Sequence, residues 1–527
     1  MRNAAPAPPA SRSAAARDQR RWWTLAVVVV SILVVFLDGM VLNVALPRIQ
    51  QELGASQGEQ EWAVAAYTLV FAALLLPFGA VGDRFGRRRI LAVGLAVFGA
   101  ASAVAAYAGS PMELILMRAV MGVGAAAILP STLAIITNAF DEDERGRAIA
   151  IWAAASGLAV PLGPLVGGAM LDAGFWWGSV LLINVPIVLV ALAGVSRLVP
   201  ESRDPAEPEV DRLGVVFSVA GLGLLVYGVI RAGQTAEWTA PATIGAIAGG
   251  IALLVVFVWL EATSSHAALD VRWFRQPALA TASGAMALAM FALFGAMLYG
   301  VYYLQFDRGY SPLGAGVLLL GNAAAVVVFA PLSATLAKRH GHRRVCATGF
   351  VVLAASYAGM ATIDRDTPIA VVELLLIALG AGSALVIAPT TDLVMAAIPK
   401  ERAGAASALN SAVRSVGGAI GIAVLGSVLS TAYRSGIGSA VDVLPTSARD
   451  AAGESIGGTQ AVVTAAHDSI ADHGASLLEA ASRAFTDAMH LTAALSTAAV
   501  LVALAVVLVW MPRRAATGEI SRARAPR

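Results

Sequence analysis

Apolar residues occur along this chain in long blocks that charged residues, glycines and prolines interrupt. A helix that crosses roughly 30 Å of hydrocarbon needs about 20 such residues. Fourteen blocks of this kind predict fourteen transmembrane helices. The predicted spans are 24–46, 62–81, 90–109, 112–137, 148–171, 179–199, 213–231, 242–261, 278–304, 313–337, 345–362, 368–397, 403–431 and 488–511.

Composition supports an all-α polytopic membrane protein with the lipid bilayer as its partner. Hydrophobic residues make up 58% of the 527 residues and charged residues 13%, against about 25% charged in a soluble domain. The net charge of +2 comes from scattered basic clusters, which argues against a nucleic-acid partner. Cys346 is the one cysteine, so the chain has no intrachain disulfide or Cys-based metal cluster.

Lysine and arginine predict the orientation, because cationic loops resist translocation. Most of the 36 Lys and Arg residues face the cytoplasm if the N-terminus is inside. Two short loops contribute strongly, one at Arg84 to Arg89 and one at Lys338 to Arg344. Both termini are therefore predicted to be cytoplasmic.

An internal repeat relates the two ends of the chain. The segment Asp83 to Arg89 returns as Lys338 to Arg344, 255 residues later, and Gly54 and Ser56 match Gly309 and Ser311 at the same offset. Two parallel six-helix halves predict a substrate route between them near the midplane. The predicted organisation is a disordered cytoplasmic tail (1–21), an N-terminal bundle (22–199), a cytoplasmic linker (200–212), an inserted two-helix hairpin (213–262), a C-terminal bundle (263–511) with an outer loop (432–487), and a cytoplasmic tail (512–527).

Asp38 and Arg118 are charged residues inside predicted spans, where each is costly and needs a partner. At about 1.5 Å per residue, Asp38 lies roughly 12 Å and Arg118 roughly 10 Å from the outer ends of their helices. Their depths match, so we predict that they pair. Burial and a nearby cation shift a carboxylate's proton affinity in opposite directions, which makes the pair a candidate for proton coupling. The alternative is a static pair that joins two helices.

These segments resemble the major facilitator superfamily, specifically its fourteen-helix drug:proton antiporter branch. Leu37 to Ile49 is similar to the first-helix signature of that branch, and Leu114 to Gly124 is similar to its proton-transfer motif. The loop GAVGDRFGRRRIL, which starts at Gly79, resembles the superfamily signature that latches the two halves in the outward-facing state. The resemblance carries this gating role onto Gly79, Asp83, Arg84, Gly86, Arg87 and Arg88.

The fifth predicted helix resembles the motif that distinguishes antiporters from uptake carriers. Small residues on one helix face permit close packing, and prolines bend the helix. The resemblance therefore favours export over import. The matching residues are Gly157, Gly163, Pro164, Gly167 and Gly168.

Glu373 and Asp392 share one predicted span but lie nineteen residues, roughly 28 Å, apart. Glu373 is either a second proton or cation site or an interfacial residue near the outer mouth. Asp392 lies near the cytoplasmic end, where we expect it to pair with Arg414 or to cap a loop. For Arg414 we expect a structural or gating role.

A set of polar and aromatic residues inside the spans forms the candidate substrate pocket: Asn43, Tyr67, Phe71, Phe291, Phe294, Tyr302 and Gln305. His467, His473 and His490 have no metal-site spacing and are expected to be solvated, so no metal is predicted.

The predicted function is export of hydrophobic or amphipathic small molecules from the cytoplasm by alternating access, driven by protons and without a cofactor. We expect a monomer. A dedicated exporter of one endogenous metabolite or antibiotic is the alternative, and a proton-coupled importer is a weaker one. The sequence shows no enzyme constellation of nucleophile, base and metal, and no signalling domain of a sensor.

Overall fold

The computed structural model describes residues 10–140, 142–203, 212–235, 237–263, 271–398, 403–465 and 474–512. Every regular element in this part of the chain is helical. The α-helices are α1 (Ala10–Leu53), α2 (Gln57–Phe85), α3 (Arg87–Ala106), α4 (Pro111–Ala139), α5 (Glu142–Asp172), α6 (Ser179–Leu182), α7 (Asn184–Leu198), α8 (Arg212–Thr235), α9 (Pro241–Thr263), α10 (Pro277–Tyr302), α11 (Pro312–His340), α12 (His342–Met360), α13 (Ile369–Ala397), α14 (Ala403–Ile437), α15 (Thr446–Glu454), α16 (Ile456–Ala465) and α17 (Gly474–Trp510). Short 3₁₀ helices cover Val271–Arg275 and Gly438–Val443, and a π-helix covers Tyr303–Asp307.

Helices lie over each of the predicted spans, which confirms the all-α membrane class. Eleven segments of the described chain are long and apolar enough to cross a bilayer. Helices α2, α5 and α12 are not among these eleven. The count of fourteen transmembrane helices therefore stays a prediction.

Two helices extend beyond the predicted spans. Helix α1 begins at Ala10 and so includes residues 10–21 of the predicted cytoplasmic tail; this stretch is rich in Ala and Arg, which favour helix. Helix α17 begins at Gly474, within the predicted outer loop. The rest of that loop contains α15 and α16. Residues 1–9, 204–211 and 513–527 of the predicted tails and linker lie outside the described residues. The predicted domain boundaries stay predictions.

The repeat is visible in the backbone at the helix junctions. Gly54 and Gly309 both have positive φ, +63° and +68°, and each precedes a serine N-cap, of α2 and of α11. Gly86 and Gly341 form the next junctions with φ of +113° and +87°. Positive φ is the conformation that glycine adopts without steric cost. The two halves of the chain thus use the same turns at the same offset.

Close helix packing repeats as well. A Cβ atom on Gly94 of α3 would lie 2.9 Å from the Gly124 carbonyl of α4, and one on Gly349 of α12 would lie 2.9 Å from the Gly382 carbonyl of α13. Only glycine permits such backbone contact between helices. We refer to α1–α7 as the N-half and to α10–α17 as the C-half.

The inserted hairpin, α8 and α9, lies along the seam between the halves. Val226 and Ile230 of α8 pack with Leu69 of α2 and Ala423 of α14 in one apolar cluster. Helix α9 exposes large apolar side chains, including Val255 and Trp259, which suits contact with lipid. We call the end of the bundle that carries α15 and α16 the predicted outer end, and the opposite end the predicted cytoplasmic end.

Candidate functional site

Asp38 of α1 and Arg118 of α4 form a buried ion pair. The Arg118 Nη1 atom donates to Asp38 Oδ2 over 2.5 Å, and the two side chains are 1% and 0% exposed. Charge-assisted hydrogen bonds are stronger than bonds between neutral groups. The structure thus brings together the two residues that the sequence paired by depth.

The Arg118 guanidinium has further partners within the N-half. Its Nε atom donates to the Ala63 carbonyl over 3.0 Å, and its Cζ atom lies 4.4 Å from the centre of the Tyr67 ring. The Tyr67 hydroxyl in turn donates to the Val35 carbonyl over 3.2 Å. A cation over an aromatic face is attracted by the ring's electron density. The cation is therefore held on three sides by α1 and α2.

Asn184 completes the site and was missed by the sequence analysis. Its Nδ2 atom donates to Asp38 Oδ1 over 2.8 Å and to Ser102 Oγ over 3.0 Å. Asn184 is fully buried at the first turn of α7. An amide inside the apolar predicted span 179–199 was the available signal, because a polar group in hydrocarbon needs a partner. Both oxygens of the Asp38 carboxylate are thus engaged.

Glu373 does not join this cluster. It lies on α13 of the C-half, and a Cβ atom on Gly321 of α11 would overlap its carboxylate. Its Oε2 atom is buried without a hydrogen-bond partner among the described residues. The side chain as a whole is partly exposed.

Asp392 pairs with a residue other than Arg414 in the structure, and the alternative role predicted for it, a loop cap, stays a prediction. Asp392 Oδ2 lies 2.6 Å from His342 Nε2, at the first residue of α12. Helices α12 and α13 are sequential neighbours that pack together, so the start of α12 is nearer to Asp392 than α14 is. In the described part of the chain, Arg414 has no hydrogen bond or ion pair.

The glycine- and arginine-rich loop contacts its own half. Backbone N–H of Arg88 donates to Glu201 Oε1 over 3.1 Å, and its guanidinium donates to the Ser196 carbonyl over 2.7 Å. Arg87 N–H donates to the Ser202 carbonyl, and Gly86 faces Glu201 so closely that a Cβ would clash. The Arg84 guanidinium lies over the Phe85 ring. Gly79 faces α4, while the Asp83 side chain lies outside what the structure describes.

Helix α5 contacts both halves through its small residues. A Cβ atom on Gly163 would lie 2.9 Å from the Leu37 carbonyl of α1, and Gly167 faces Val41 of the same helix. A Cβ on Gly168 would lie 2.6 Å from the Pro312 carbonyl of α11. The Pro164 carbonyl faces Gly316 of α11, whereas the surroundings of Gly157 are not among the described features.

Three of the predicted pocket residues join the halves at the predicted outer end. Tyr302 donates a hydrogen bond to Gln60 Oε1 of α2. Gln305 Nε2 donates to the Val44 carbonyl of α1 over 3.4 Å, and Asn43 Nδ2 faces Met297 Sδ at 3.9 Å. In the described conformation these residues lie at a contact between the halves, and their role in a substrate pocket stays a prediction.

Two more bonds close this end. Gln50 Nε2 of α1 donates to Ser455 Oγ, the residue before α16, over 2.6 Å. Ser311 Oγ donates to Asp172 Oδ2 at the end of α5 over 2.7 Å. Helix α16 is held to the rest of the C-half, since Gln460 Nε2 donates to the Phe306 carbonyl. We call this set of bonds between the halves the outer seal.

The remaining pocket candidates lie within the helix packing. Tyr67 and Phe71 stack with their centroids 6.1 Å apart. Phe294 packs on Gly418 of α14, and the Phe291 backbone packs on Gly421. His490 bonds to the Ile363 carbonyl, whereas His467 and His473 lie outside the described residues.

A cavity of about 360 Å³ lies toward the predicted cytoplasmic end, between the halves and beneath the inserted hairpin. None of the predicted pocket residues lines it. Its walls are mainly apolar, with Ser218, Glu261 and Ser283 as the polar side chains. Ligand pockets of drug size have volumes of roughly 300–1,000 Å³. The other lining residues are Ala72, Ala73, Pro77, Gly214, Leu222, Phe257, Phe274, Gly284, Ala287, Leu409, Ala412, Val413 and Val416.

Comparison with known proteins adds four findings. A family model described as Major Facilitator Superfamily matches residues 28–422. The chain is 35% identical over 477 residues to the multidrug efflux pump LfrA of Mycolicibacterium smegmatis, covering 90% of this chain and 93% of LfrA. It is 36% identical over 406 residues to the methyl viologen resistance protein SmvA of Salmonella typhimurium, covering 76% and 81%. A solved bacterial homologue of the lysosomal transporter Spinster, inward-facing and unoccupied, aligns with a TM-score of 0.67 at 18% identity, covering 95% of this chain and 99% of that one.

Proposed function

Because the chain belongs to the Major Facilitator Superfamily and is a multi-pass protein of the cell membrane, we propose that it is a proton-coupled antiporter that exports amphipathic small molecules. The relatives LfrA and SmvA carry multidrug efflux and methyl viologen resistance in their names. The observation that carries the proposal is the buried cluster of Asp38, Arg118 and Asn184.

Asp38 is the proton carrier in this proposal. An ionised carboxylate in a dry site is stable only with a cation and donors around it, here Arg118 and Asn184. A proton from outside neutralises Asp38 and removes its attraction for Arg118. Helices α1, α4 and α7 then lose their common electrostatic contact. Proton binding thereby shifts the arrangement of the N-half.

The described conformation suits an inward-facing state. The outer seal joins the halves at the predicted outer end, while the 360 Å³ cavity lies toward the predicted cytoplasmic end. We propose that substrate enters this cavity from the cytoplasm or inner leaflet, with α8 and α9 as its outer wall. The apolar walls offer few polar groups that would select one compound, which favours several substrates over a dedicated one.

The arginine-rich loop is proposed to latch the halves in the opposite state. In the described conformation it binds Glu201 and Ser196 of its own half. When the cytoplasmic ends approach each other, the loop's arginines become available to the C-half. The protein is proposed to act as a monomer.

Transport in inverted membrane vesicles tests the proposal. Wild type is expected to accumulate a fluorescent amphipathic dye when the membrane is energised and to lose it on addition of a protonophore. Asp38→Asn is expected to abolish this accumulation at unchanged expression. Asp392→Asn, which neutralises an exposed carboxylate bound to His342, is the matched control and is expected to retain it. Protonophore-resistant accumulation, or full activity of Asp38→Asn, would contradict the proposal.

A further inference from the structure

Glu61 is a buried carboxyl group that neither the proposed proton site nor the substrate cavity uses. It lies in the second turn of α2, at the predicted outer end, and is 1% exposed. Its Oε1 atom has no hydrogen-bond partner among the described residues. A Cβ atom on Gly426 of α14 would lie 2.6 Å from Oε1, so the carboxyl group is pressed against the backbone of the other half.

The groups that face Glu61 supply no positive charge. On α2 its polar neighbour is the Gln57 amide, one turn earlier, and from α10 it is faced by the neutral phenol of Tyr302. Three arginines of the helices that pack against α2 have other partners. Arg118 of α4 is bound to Asp38, Arg231 of α8 is bound to the Tyr227 hydroxyl, and Arg434 of α14 interacts electrostatically with Glu454. Arg48 of α1 is exposed, and Arg414 lies twelve residues, about 18 Å, from Gly426 along α14.

A small cavity lies between Gln57 of α2 and the outer helices. Its polar lining residues are Gln57 and Ser430 on the bundle side and Glu454 and Ser455 on the side of α15 and α16, and the remaining lining residues are Tyr302, Leu429, Tyr433, Ile456 and Phe485. Its volume of about 10 Å³ is close to that of a single water molecule's probe sphere. The Gln57 side chain thus lies between this cavity and the Glu61 carboxyl group.

An ionised carboxylate at this position would be desolvated and unpaired, which is too costly, so the group takes up a proton. Ionisation becomes favourable again when α2 and α14 separate and water reaches the carboxyl group. Separation at this end is what alternating access requires of the outward-open state. The protonation of Glu61 and the closure of the outer seal are therefore linked.

We propose that Glu61 is a proton-binding residue of the outer gate, and that the outer seal closes only when Glu61 has taken up a proton from the external medium. The proposal rests on the proposed function for its alternating-access cycle. It assigns to Glu61 a gating proton that is separate from the proton on Asp38. Acidic external medium is then expected to favour the closed outer end.

Cysteine accessibility tests this directly. The reporter chain carries Cys346→Ala, Ser430→Cys in the small cavity between the halves, and Glu454→Gln, which removes the carboxyl group that lines this cavity. A membrane-impermeant maleimide is applied to intact cells with clamped internal pH. The labelling rate is divided by the rate at which the maleimide reacts with a free thiol at the same pH, so that the ratio reports accessibility alone. Labelling is expected to rise about tenfold per pH unit above the ordinary glutamate value of about 4.3, until the open state predominates.

Two variants decide the result. Glu61→Gln keeps the shape but cannot ionise, and its labelling is expected to be slow and independent of external pH. Glu59→Gln is the matched control, because it neutralises a carboxylate two residues earlier that bonds only to its own N-cap, Ser56, and glutamine can make the same bond. It is expected to behave like the reporter chain. The proposal is overturned if Glu61→Gln keeps the pH dependence, or if the reporter chain shows none.

The same assay separates this proposal from the proposed function. Adding Asp38→Asn to the reporter chain is expected to leave the pH dependence of labelling in place. If Asp38→Asn retains proton-driven transport, the proposed function fails while the gating role of Glu61 stands. If Asp38→Asn abolishes transport and Glu61→Gln keeps its pH-dependent labelling, the gating role alone fails.

Discussion

Replacing Asp38 by asparagine leaves the Arg118 guanidinium, which is 1% exposed, without its counter-ion. Removing one partner of a buried ion pair costs about 3–5 kcal/mol, because the other charge stays buried and unpaired. The structure places Asp38→Asn at the lower end of this range. The new amide can still accept from Arg118, and Asn184 Oδ1, which has no described partner, can accept from the new amide.

Arg118→Met is expected to cost more, toward 5 kcal/mol. It leaves the Asp38 carboxylate with Asn184 as its remaining described side-chain donor and also removes the bond to the Ala63 carbonyl. The double variant, Asp38→Asn with Arg118→Met, has no buried charge at this position. It is expected to be more stable than Arg118→Met alone, so the two effects are strongly non-additive.

Thermal unfolding of the purified protein in detergent, followed by tryptophan fluorescence, measures all three variants against wild type. The expected order of unfolding midpoints, from highest to lowest, is wild type, Asp38→Asn, the double variant and Arg118→Met, although the relative order of Asp38→Asn and the double variant is not part of the test. Equal stability of Asp38→Asn and wild type would show that no charge is paired at this position. Additive losses in the double variant would equally refute the reasoning.

Three further outcomes are expected. Arg118→Ala should lose the pH dependence of dye transport in vesicles; retained dependence would make the pair static. Gly168→Ala should slow efflux about 5- to 100-fold, because its Cβ would lie 2.6 Å from the Pro312 carbonyl and overpacking costs about 1–3 kcal/mol. Gly245→Ala is the control, because Gly245 faces open space, and it should leave efflux unchanged. Burial raises the pKa of Glu454 above its ordinary value, although the positive charge of Arg434 partly opposes this. Helix α15 should therefore be most firmly docked below about pH 4.3, where Glu454 is protonated in both the docked and the undocked state. It should loosen as the pH rises through the raised pKa. Hydrogen exchange of residues 446–465 measures this, and the pH dependence should vanish in Glu454→Gln.

The pairing of Asp38 with Arg118 could be predicted because a charged residue within an apolar span needs a partner of opposite charge. The helix rise per residue then gives the depth of each residue in the membrane, and the two depths match. The repeat could be predicted for a similar reason, since glycine turns and serine caps are local features. Both kinds of inference need no knowledge of how a helix is rotated about its axis.

Glu61 and the partner of Asp392 could not be predicted in this way. Glu61 lies one residue before the predicted span 62–81, so in sequence it resembles a solvated residue of a turn. Its burial comes from Gly426, on a helix of the other half. His342 reaches Asp392 through the packing of neighbouring helices, which hydrophobic periodicity does not specify. Helix rotation also places the seven pocket candidates at contacts between helices in the described conformation, and their role in substrate binding stays a prediction.

The outer seal consists mostly of amides and hydroxyls: Gln50 with Ser455, Tyr302 with Gln60, and Gln305 with a carbonyl. Each such bond contributes about 0.5–1.5 kcal/mol, so together they amount to a few kcal/mol. The binding of one cargo molecule can supply this much free energy, so the bonds can break within a turnover. Strong ion pairs at this position would hold the halves together more tightly but would slow transport, whereas the outer seal can break and re-form in every transport cycle.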